Sequence, residues 1–153
     1  MLKHLLSTER NPASLVLRIG LGVVMFPHGA QKLLGSFGGY GFTGTMHHFT
    51  ETMGIPYLFA LLAILAESFG ALGLIVGLGT RIAAFGVGAT IGVAALMKHG
   101  QYGFFMNWFG TQAGEGFEYH LLVVGMALAL VVSGGGQWSL DRLLSKKSLV
   151  GGV

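Results

Sequence analysis

Four apolar stretches, each about long enough to cross a lipid bilayer as a helix, fill most of the 153-residue chain. They cover residues 13–34, 57–78, 81–97 and 117–133. A helix needs about 20 mostly apolar residues to span a hydrocarbon core about 30 Å thick. Only 10% of the residues are charged, whereas a soluble domain carries about a quarter. The sequence therefore predicts one all-α membrane domain over residues 1–153, an antiparallel bundle of four transmembrane helices.

The composition also excludes several classes of function. The chain contains no cysteine, which rules out thiol–disulfide chemistry and Cys-ligated clusters. No cleavable signal peptide is predicted, because Asn11 and Pro12 are typical of a helix cap and of the first helical position. The net charge is +3, but basic residues scattered between spans are better explained by membrane topology than by nucleic-acid binding.

The basic residues are distributed unequally between the two sides of the predicted bundle. Lys32 and Lys98 lie on one side, and Arg18 lies just inside the other. That other side also carries Lys3, Arg10, Arg81, Arg142, Lys146 and Lys147. Since Lys and Arg favour the cytoplasmic side of a membrane, both termini are predicted to be cytoplasmic. We expect the membrane to be a bacterial inner membrane.

Two of the connections between the spans have patterns of their own. After the first span, Phe42, Met46, Phe49 and Met53 recur at helical spacing. This predicts a short amphipathic helix lying in the outer bilayer interface. Residues 98–116 form the longest connection, an aromatic loop with Tyr102, Phe104, Phe105, Trp108 and Phe109. Aromatic rings favour the headgroup level, so this loop is expected to fold over the outer end of the bundle.

Several ionisable residues lie within or at the ends of the apolar stretches, where an unpaired charge is costly and a functional role is expected. Under the predicted topology they gather in the outer half of the bundle, so one shared cavity is expected. Glu67, near the middle of the second span, is the strongest candidate. The predicted catalytic residues are Glu67, His28, His99 and Glu118, and the predicted cofactor-binding residues are Lys32, His120, Tyr102 and Trp108.

An apolar cavity with acidic and basic groups suits a quinone or another small lipophilic molecule. A quinone headgroup needs hydrogen-bond donors to its two carbonyls and a route for protons, which His and Glu supply. A haem held by two of His28, His99 and His120 is an alternative, although the spacing does not require it. A metal site at His47 and His48 is disfavoured, because neighbouring helical residues point about 100° apart. No metal is predicted.

Each of these polar residues also has a structural interpretation. Lys32 and Lys98 would extend toward the interface, and Glu118 would interact with the dipole at the start of the fourth helix. Arg18 would pair with Asp141 at the cytoplasmic end. The chain would then be a membrane scaffold or a partner subunit of a larger complex, and a small-solute transporter is a further alternative. A homo-oligomer is equally compatible with the sequence.

Six short motifs occur in order along nearly the whole chain. They are LRIG at 17–20, GAQKL at 29–33, ESFG at 67–70, GLGTR at 77–81, EY at 118–119 and GGGQWSLD at 134–141. In combination they resemble the DoxX/DoxD-like family of membrane proteins. The polar positions that match those of the family are Arg18, Lys32, Glu67, Arg81, Glu118 and Asp141.

The resemblance implies a four-helix membrane protein, often described as an oxidoreductase. One branch of the family is a subunit of a thiosulfate:quinone oxidoreductase. Other relatives are linked to oxidative-stress protection or to quinone detoxification, sometimes with soluble partners. We therefore expect a quinone-linked oxidoreductase or a membrane subunit of one, with redox partners in the membrane or in solution.

Overall fold

The computed structural model describes residue 6 and residues 8–150, with side-chain surroundings up to residue 145. Its principal helices are α1 Pro12–Leu34, α2 Gly41–His47 with a π-helical continuation His48–Thr52, α3 Tyr57–Val76, α4 Thr80–Tyr102, α5 Glu118–Ser133 and α6 Leu140–Val150. The described residues form no strand. Of the bases used to predict topology, Lys3 lies outside the described residues, as do the side chains of Lys146 and Lys147.

Within the described residues, α1, α3 and α4 are long and apolar enough to cross a membrane. The fourth apolar helix, α5, has 16 residues, a length of about 24 Å at the helical rise of 1.5 Å per residue. The predicted spans agree with these bounds to within two residues for α1, α3 and α5. In contrast, α4 runs five residues beyond the predicted end at residue 97, because the chain continues in π-helical and 3₁₀ turns to Tyr102.

Polar contacts show that α1 runs antiparallel to α3. Arg18, near the start of α1, donates to the carbonyls of Leu74 and Ile75 near the end of α3. Lys32, near the end of α1, contacts Glu67 in the middle of α3. Since the order of the contacts reverses between the two helices, their directions are opposite.

The same reasoning makes α4 antiparallel to α5. Arg81, at the start of α4, donates to the carbonyls of Val131 and Val132 at the end of α5. His99, near the end of α4, contacts His120 at the start of α5. The short connection between α3 and α4 has left-handed backbone at Gly77 and Gly79. Since α1 runs antiparallel to α3 and α4 runs antiparallel to α5, the helices form an antiparallel bundle.

Small residues allow α4 and α5 to pack closely, as expected for helices in lipid. A Cβ atom on Gly88 would lie 2.8 Å from Ala127, and one on Gly92 would lie 3.7 Å from Val124. The face of α4 that carries Gly88 and Gly92 therefore packs against α5. The buried apolar core draws on α1, α3, α4 and α5, and consists of Leu21, Met25, Ala71, Leu74, Ala84, Val87, Ile91, Val123, Ala127 and Leu130.

The predicted amphipathic helix after the first span is present as α2. Met46 is buried against Ala60 and Ile64 of α3, with Phe49 packed beside them. Phe42, predicted on the same apolar face, is 37% exposed. The inner side of α2 therefore closes one side of the bundle near the end of α1.

Arg18 is buried, and its guanidinium donates all of its hydrogen bonds to backbone carbonyls. Its guanidinium donates to Leu74 and Ile75 at the end of α3, at 3.2 and 2.5 Å. The remaining bonds go to the segment after α5: Gly135 at 3.1 Å, Gln137 at 3.4 Å and Trp138 at 2.7 Å. One cation thus bonds carbonyls that the end of α3 leaves without intrahelical partners and carbonyls of the loop that follows α5.

The predicted pairing of Arg18 with Asp141 is wrong, because each side chain is bonded to backbone instead. The Asp141 carboxylate is 1% exposed and accepts from the backbone N–H groups of Gly79 at 2.7 Å and Thr80 at 2.9 Å. These groups lie at the start of α4, where free N–H donors and the helix dipole favour an anion. The two residues tie the same end of the bundle together through different backbone segments.

Candidate functional site

A cavity of about 640 Å³ opens at the end of the bundle opposite to Arg18. Arg18 and Lys32 are 14 residues apart on α1, a distance of about 21 Å along the helix axis. The end of α1, the middle of α3, the end of α4 and the start of α5 all contribute to the wall. Its polar and titratable lining residues are His28, Lys32, His48, Glu67, Thr90, Lys98, His99, Glu115, Tyr119 and His120.

One wall of the cavity carries an ion pair between α1 and α3. The Lys32 Nζ atom lies 2.6 Å from Glu67 Oε2. The Glu67 side chain is 4% exposed, whereas that of Lys32 is 22% exposed. Because Glu67 is the more deeply buried partner, Lys32 supplies the positive charge that compensates a carboxylate inside the bundle.

A glycine contact brings the two partners of this pair together. A Cβ atom on Gly29 would lie 2.4 Å from the carbonyl oxygen of Glu67 and 2.6 Å from Ser68 Cα, so only glycine fits. The Ser68 hydroxyl donates to the Gly29 carbonyl at 3.1 Å. Lys32 follows Gly29 by three residues and lies on the same side of α1. The close approach of α1 and α3 therefore positions Lys32 beside Glu67.

A second wall carries two imidazoles that contact each other at a tilt of 39°, one from α4 and one from α5. The ring centroids of His99 and His120 are 4.1 Å apart. His99 Nδ1 makes a 2.8 Å hydrogen bond with the Glu115 carbonyl. The Nδ1 atom of His120 is buried and has no hydrogen-bond partner. A buried polar atom without a partner costs free energy, so a rotation of the ring that brought this nitrogen to a ligand in the cavity would recover that cost.

Tyr119 lies beside the imidazole pair. Its ring is 5.7 Å from that of His120, edge to face. Its hydroxyl has a weak acceptor, the Met25 sulfur, at 3.8 Å. A phenol with such a weak partner remains available as a donor to a bound molecule.

π-Helical turns supply much of the polar lining. The structure describes such turns at His48–Thr52, Ala66–Gly70 and Ala95–His99. The first contains His48, the second Glu67, and the third Lys98 and His99, all of which line the cavity. A π-helical turn adds one residue to a helical turn, and such turns are frequent at functional sites. Because three of them surround one cavity, this end of the bundle is the candidate functional site.

Five of the eight predicted site residues line this cavity, and three do not. His28, Lys32, Glu67, His99 and His120 are brought together. Glu118 is instead 3.1 Å from Trp108 Nε1, whose donated hydrogen bond it accepts outside the cavity. Positions two apart on a helix differ by about 200°, so Glu118 points away when His120 points in.

The aromatic loop reaches this end of the bundle, as expected, but its aromatic rings do not line the cavity. Trp108 and Phe109 are 77% and 90% exposed, and the Tyr102 ring packs over Gly114. None of the three lines the cavity, where the loop contributes Met106 and Glu115. The prediction that Tyr102 and Trp108 face the same site is therefore wrong, because the loop directs its rings outward.

Five polar lining residues were not predicted as part of the site: His48, Thr90, Lys98, Glu115 and Tyr119. Tyr119 lies in the first turn of α5 beside His120, so its depth was predictable, but neighbouring helical residues point about 100° apart and its direction was not. His48 and His47 point apart as expected, with His47 exposed and His48 in the cavity. Glu115 lies in an irregular loop, where periodicity carries no information.

The comparisons with known proteins agree with the resemblance in the sequence. Residues 13–100 match the family model for DoxX. The chain belongs to the DoxX family. It is 32% identical over 134 residues to inner membrane protein YqjF of Escherichia coli strain K12, an alignment that covers 87% of this chain and 92% of the relative. No solved structure matches the chain. The DoxX match spans α1, α2, α3 and most of α4, which provide the Lys32–Glu67 pair and His99.

Proposed function

We propose that this DoxX-family membrane protein binds a quinone headgroup in the cavity and serves quinone-linked redox chemistry. The supporting observation is the buried His120 Nδ1 atom, which lacks a partner in a residue that lines the cavity. Lys32 and Glu67 form a second polar group from a different pair of helices. Two such groups match a ring with two carbonyl oxygens.

The apolar part of the lining suits the body of a quinone ring. Val24, Ile55, Ala63, Ile91 and Ala94 line the cavity between its polar groups. Binding sites for small molecules are mostly apolar, with a few polar groups that fix orientation. The cavity volume of about 640 Å³ lies within the usual range for such sites.

Reduction of a quinone to a quinol consumes two electrons and two protons. The side chains of the cavity supply the proton part, because Glu67 and the His99–His120 pair can bind and release protons. Lys32 would donate a hydrogen bond to one carbonyl and polarise it. A redox partner protein, in the membrane or in solution, supplies the electrons.

The test is the affinity of the purified protein for a quinone with a short alkyl tail. His120→Phe keeps an aromatic ring of similar size but removes the nitrogen that would bond the headgroup. We expect the Kd to rise about tenfold to a hundredfold, the cost of a lost hydrogen bond at a buried site. His47→Phe is the matched control, since His47 is exposed and lies outside the cavity.

An unchanged quinone affinity in His120→Phe would contradict the proposal, and so would an equal loss of affinity in His47→Phe. Extraction of the purified protein, combined with a visible spectrum, identifies what it carries. Quinone in the extract supports the proposal, whereas a haem absorption band would favour the bis-histidine alternative.

A membrane scaffold is the second candidate, favoured by the Lys32–Glu67 contact that joins α1 to α3. In that case the ion pair would only hold helices together. The two candidates differ in the effect of His120→Phe, which removes no protein–protein hydrogen bond at Nδ1. A scaffold should keep its assembly and lose no activity, whereas a quinone site should lose binding.

We also propose four membrane crossings, with α5 as the fourth, and both termini in the cytoplasm. The name of the YqjF relative supports an inner membrane, and the distribution of Lys and Arg supports the orientation. Reporter domains fused at Val153 and inserted at Gly110 should report opposite sides, the C-terminal fusion on the cytoplasmic side. Reporters on the same side would overturn this topology.

A further inference from the structure

A second concave surface, an apolar groove of about 680 Å³, lies between α3 and α4 on the side of the bundle. Small residues of both helices line it, including Ala66, Gly70, Gly73 and Gly86. Exposed rings of Phe59, Phe69 and Phe85 also line it. A bilayer would place such a side groove against lipid tails.

The groove adjoins the polar cavity. Ala63 of α3 and Thr90 of α4 line both. Thr90 is the single polar side chain among the groove residues that the structure describes. Gly79, which precedes the first residue of α4, also lines the groove. It lies 11 residues before Thr90, a distance of about 16 Å along the helix axis. The groove therefore leads from the cavity toward the Arg18 end and becomes entirely apolar.

Close helix contact explains why the groove exists. A Cβ atom on Gly86 would lie 3.1 Å from the Ala66 methyl, and one on Gly73 would lie 3.5 Å from the Ala83 methyl. Glycine at these positions lets the backbones approach and leaves no side chains to fill the space above them. Ala89 lines the groove with an exposed methyl, so a larger side chain there would occupy it.

We propose that this groove holds the alkyl or polyprenyl tail of the ligand whose headgroup occupies the cavity. The proposal rests on the proposed quinone function and adds the class of ligand: a headgroup with a long apolar tail. A single molecule that passes the junction of Ala63 and Thr90 would occupy both spaces. Its tail could stay at bilayer depth throughout binding, so no apolar surface would have to cross water or the headgroup region.

The experiment compares two benzoquinones with the same headgroup, one without a tail and one with a decyl chain. Ala89→Phe fills the groove, and Ala129→Phe adds the same bulk at an exposed alanine of α5 outside it. We expect Ala89→Phe to weaken decyl-quinone binding about tenfold, a change of about 1.4 kcal/mol, and to leave the tailless quinone unchanged. Ala129→Phe should change neither, which removes any contribution from partition into detergent or lipid.

Three other results would overturn the proposal, each in a different way. If Ala89→Phe leaves decyl-quinone affinity unchanged, the groove does not hold the tail, while the headgroup site stands. If Ala89→Phe changes the oligomeric state in a lipid nanodisc and not the affinity, a second copy covers the groove. If the wild-type protein binds neither quinone, the proposed function itself fails.

Discussion

Replacing Arg18 with Met is expected to destabilise the protein by about 4–5 kcal/mol, the largest effect of any single change considered for this chain. The guanidinium is 2% exposed and bonds five backbone carbonyls from two parts of the chain. Methionine fills a similar volume but donates nothing. The carbonyls of Leu74, Ile75 and Trp138 would then be buried without their charged donor.

Thermal unfolding in detergent measures this effect. For a chain of this length, a loss of that size corresponds to a fall in Tm of about 10–20 °C. Arg18→Lys should recover little, because a single ammonium cannot reproduce the planar set of five N–H donors. Arg10→Met is the control, since Arg10 is exposed and makes one long contact, at 3.4 Å, with Gln137. A Tm for Arg18→Met equal to that of Arg10→Met would contradict the structural role of Arg18.

The second large effect is expected from Gly29→Ala, which should cost about 3 kcal/mol and also disrupt the site. The new methyl would lie 2.4 Å from the Glu67 carbonyl, a backbone atom that cannot move aside without shifting α3. The helices must separate, so the 2.6 Å contact between Lys32 and Glu67 would lengthen as well. Quinone affinity is therefore expected to fall together with stability.

Gly20→Ala is the matched control for this substitution. It lies on the same helix, and its added methyl would meet only the end of Met126 at an ordinary 3.7 Å. Alanine also has the higher helix propensity, so Gly20→Ala should be neutral or slightly stabilising. If both variants unfold at the wild-type temperature, the close approach at Gly29 does not hold α1 against α3.

The helices of this protein were predictable because apolar length and period are strong signals. The stretches at 13–34 and 57–78 correspond to α1 and α3 with little change. The order of antiparallel helices also predicts that five polar residues gather at one end of the bundle: His28, Lys32, Glu67, His99 and His120. These are consequences of topology, and topology needs only the positions of the spans.

The side-chain partners were not predictable, because they depend on helix rotation and on loop geometry. The π-helical turn at Ala66–Gly70 departs from the regular helical period just where Glu67 lies, and no periodic pattern reports such a turn. Lys32 was predicted to bind a cofactor, with extension toward the interface as the alternative, and neither interpretation included its pairing with Glu67. Glu118 lies at the right end of the bundle but on the wrong side of α5, where it meets Trp108.

Charge complementarity alone also predicted the wrong partners for Arg18 and Asp141. Opposite charges at one end of a bundle suggest an ion pair. Helix ends nevertheless offer competing partners, since each leaves unpaired carbonyls or N–H groups. Here Arg18 takes the carbonyls near the end of α3, and Asp141 takes the N–H groups of Gly79 and Thr80.

Infrared spectroscopy of a bound quinone with ¹³C-labelled carbonyls tests the proposed site most directly. A hydrogen bond lowers the stretching frequency of a carbonyl, so each polar wall of the cavity should shift one carbonyl band of decyl-benzoquinone in the wild-type protein. His120→Phe should release one band to its unbound frequency. A double variant, Lys32→Met with Glu67→Gln, should release the other. Unshifted carbonyls in the wild-type protein, or loss of the same band in both variants, would contradict a headgroup held between these two walls.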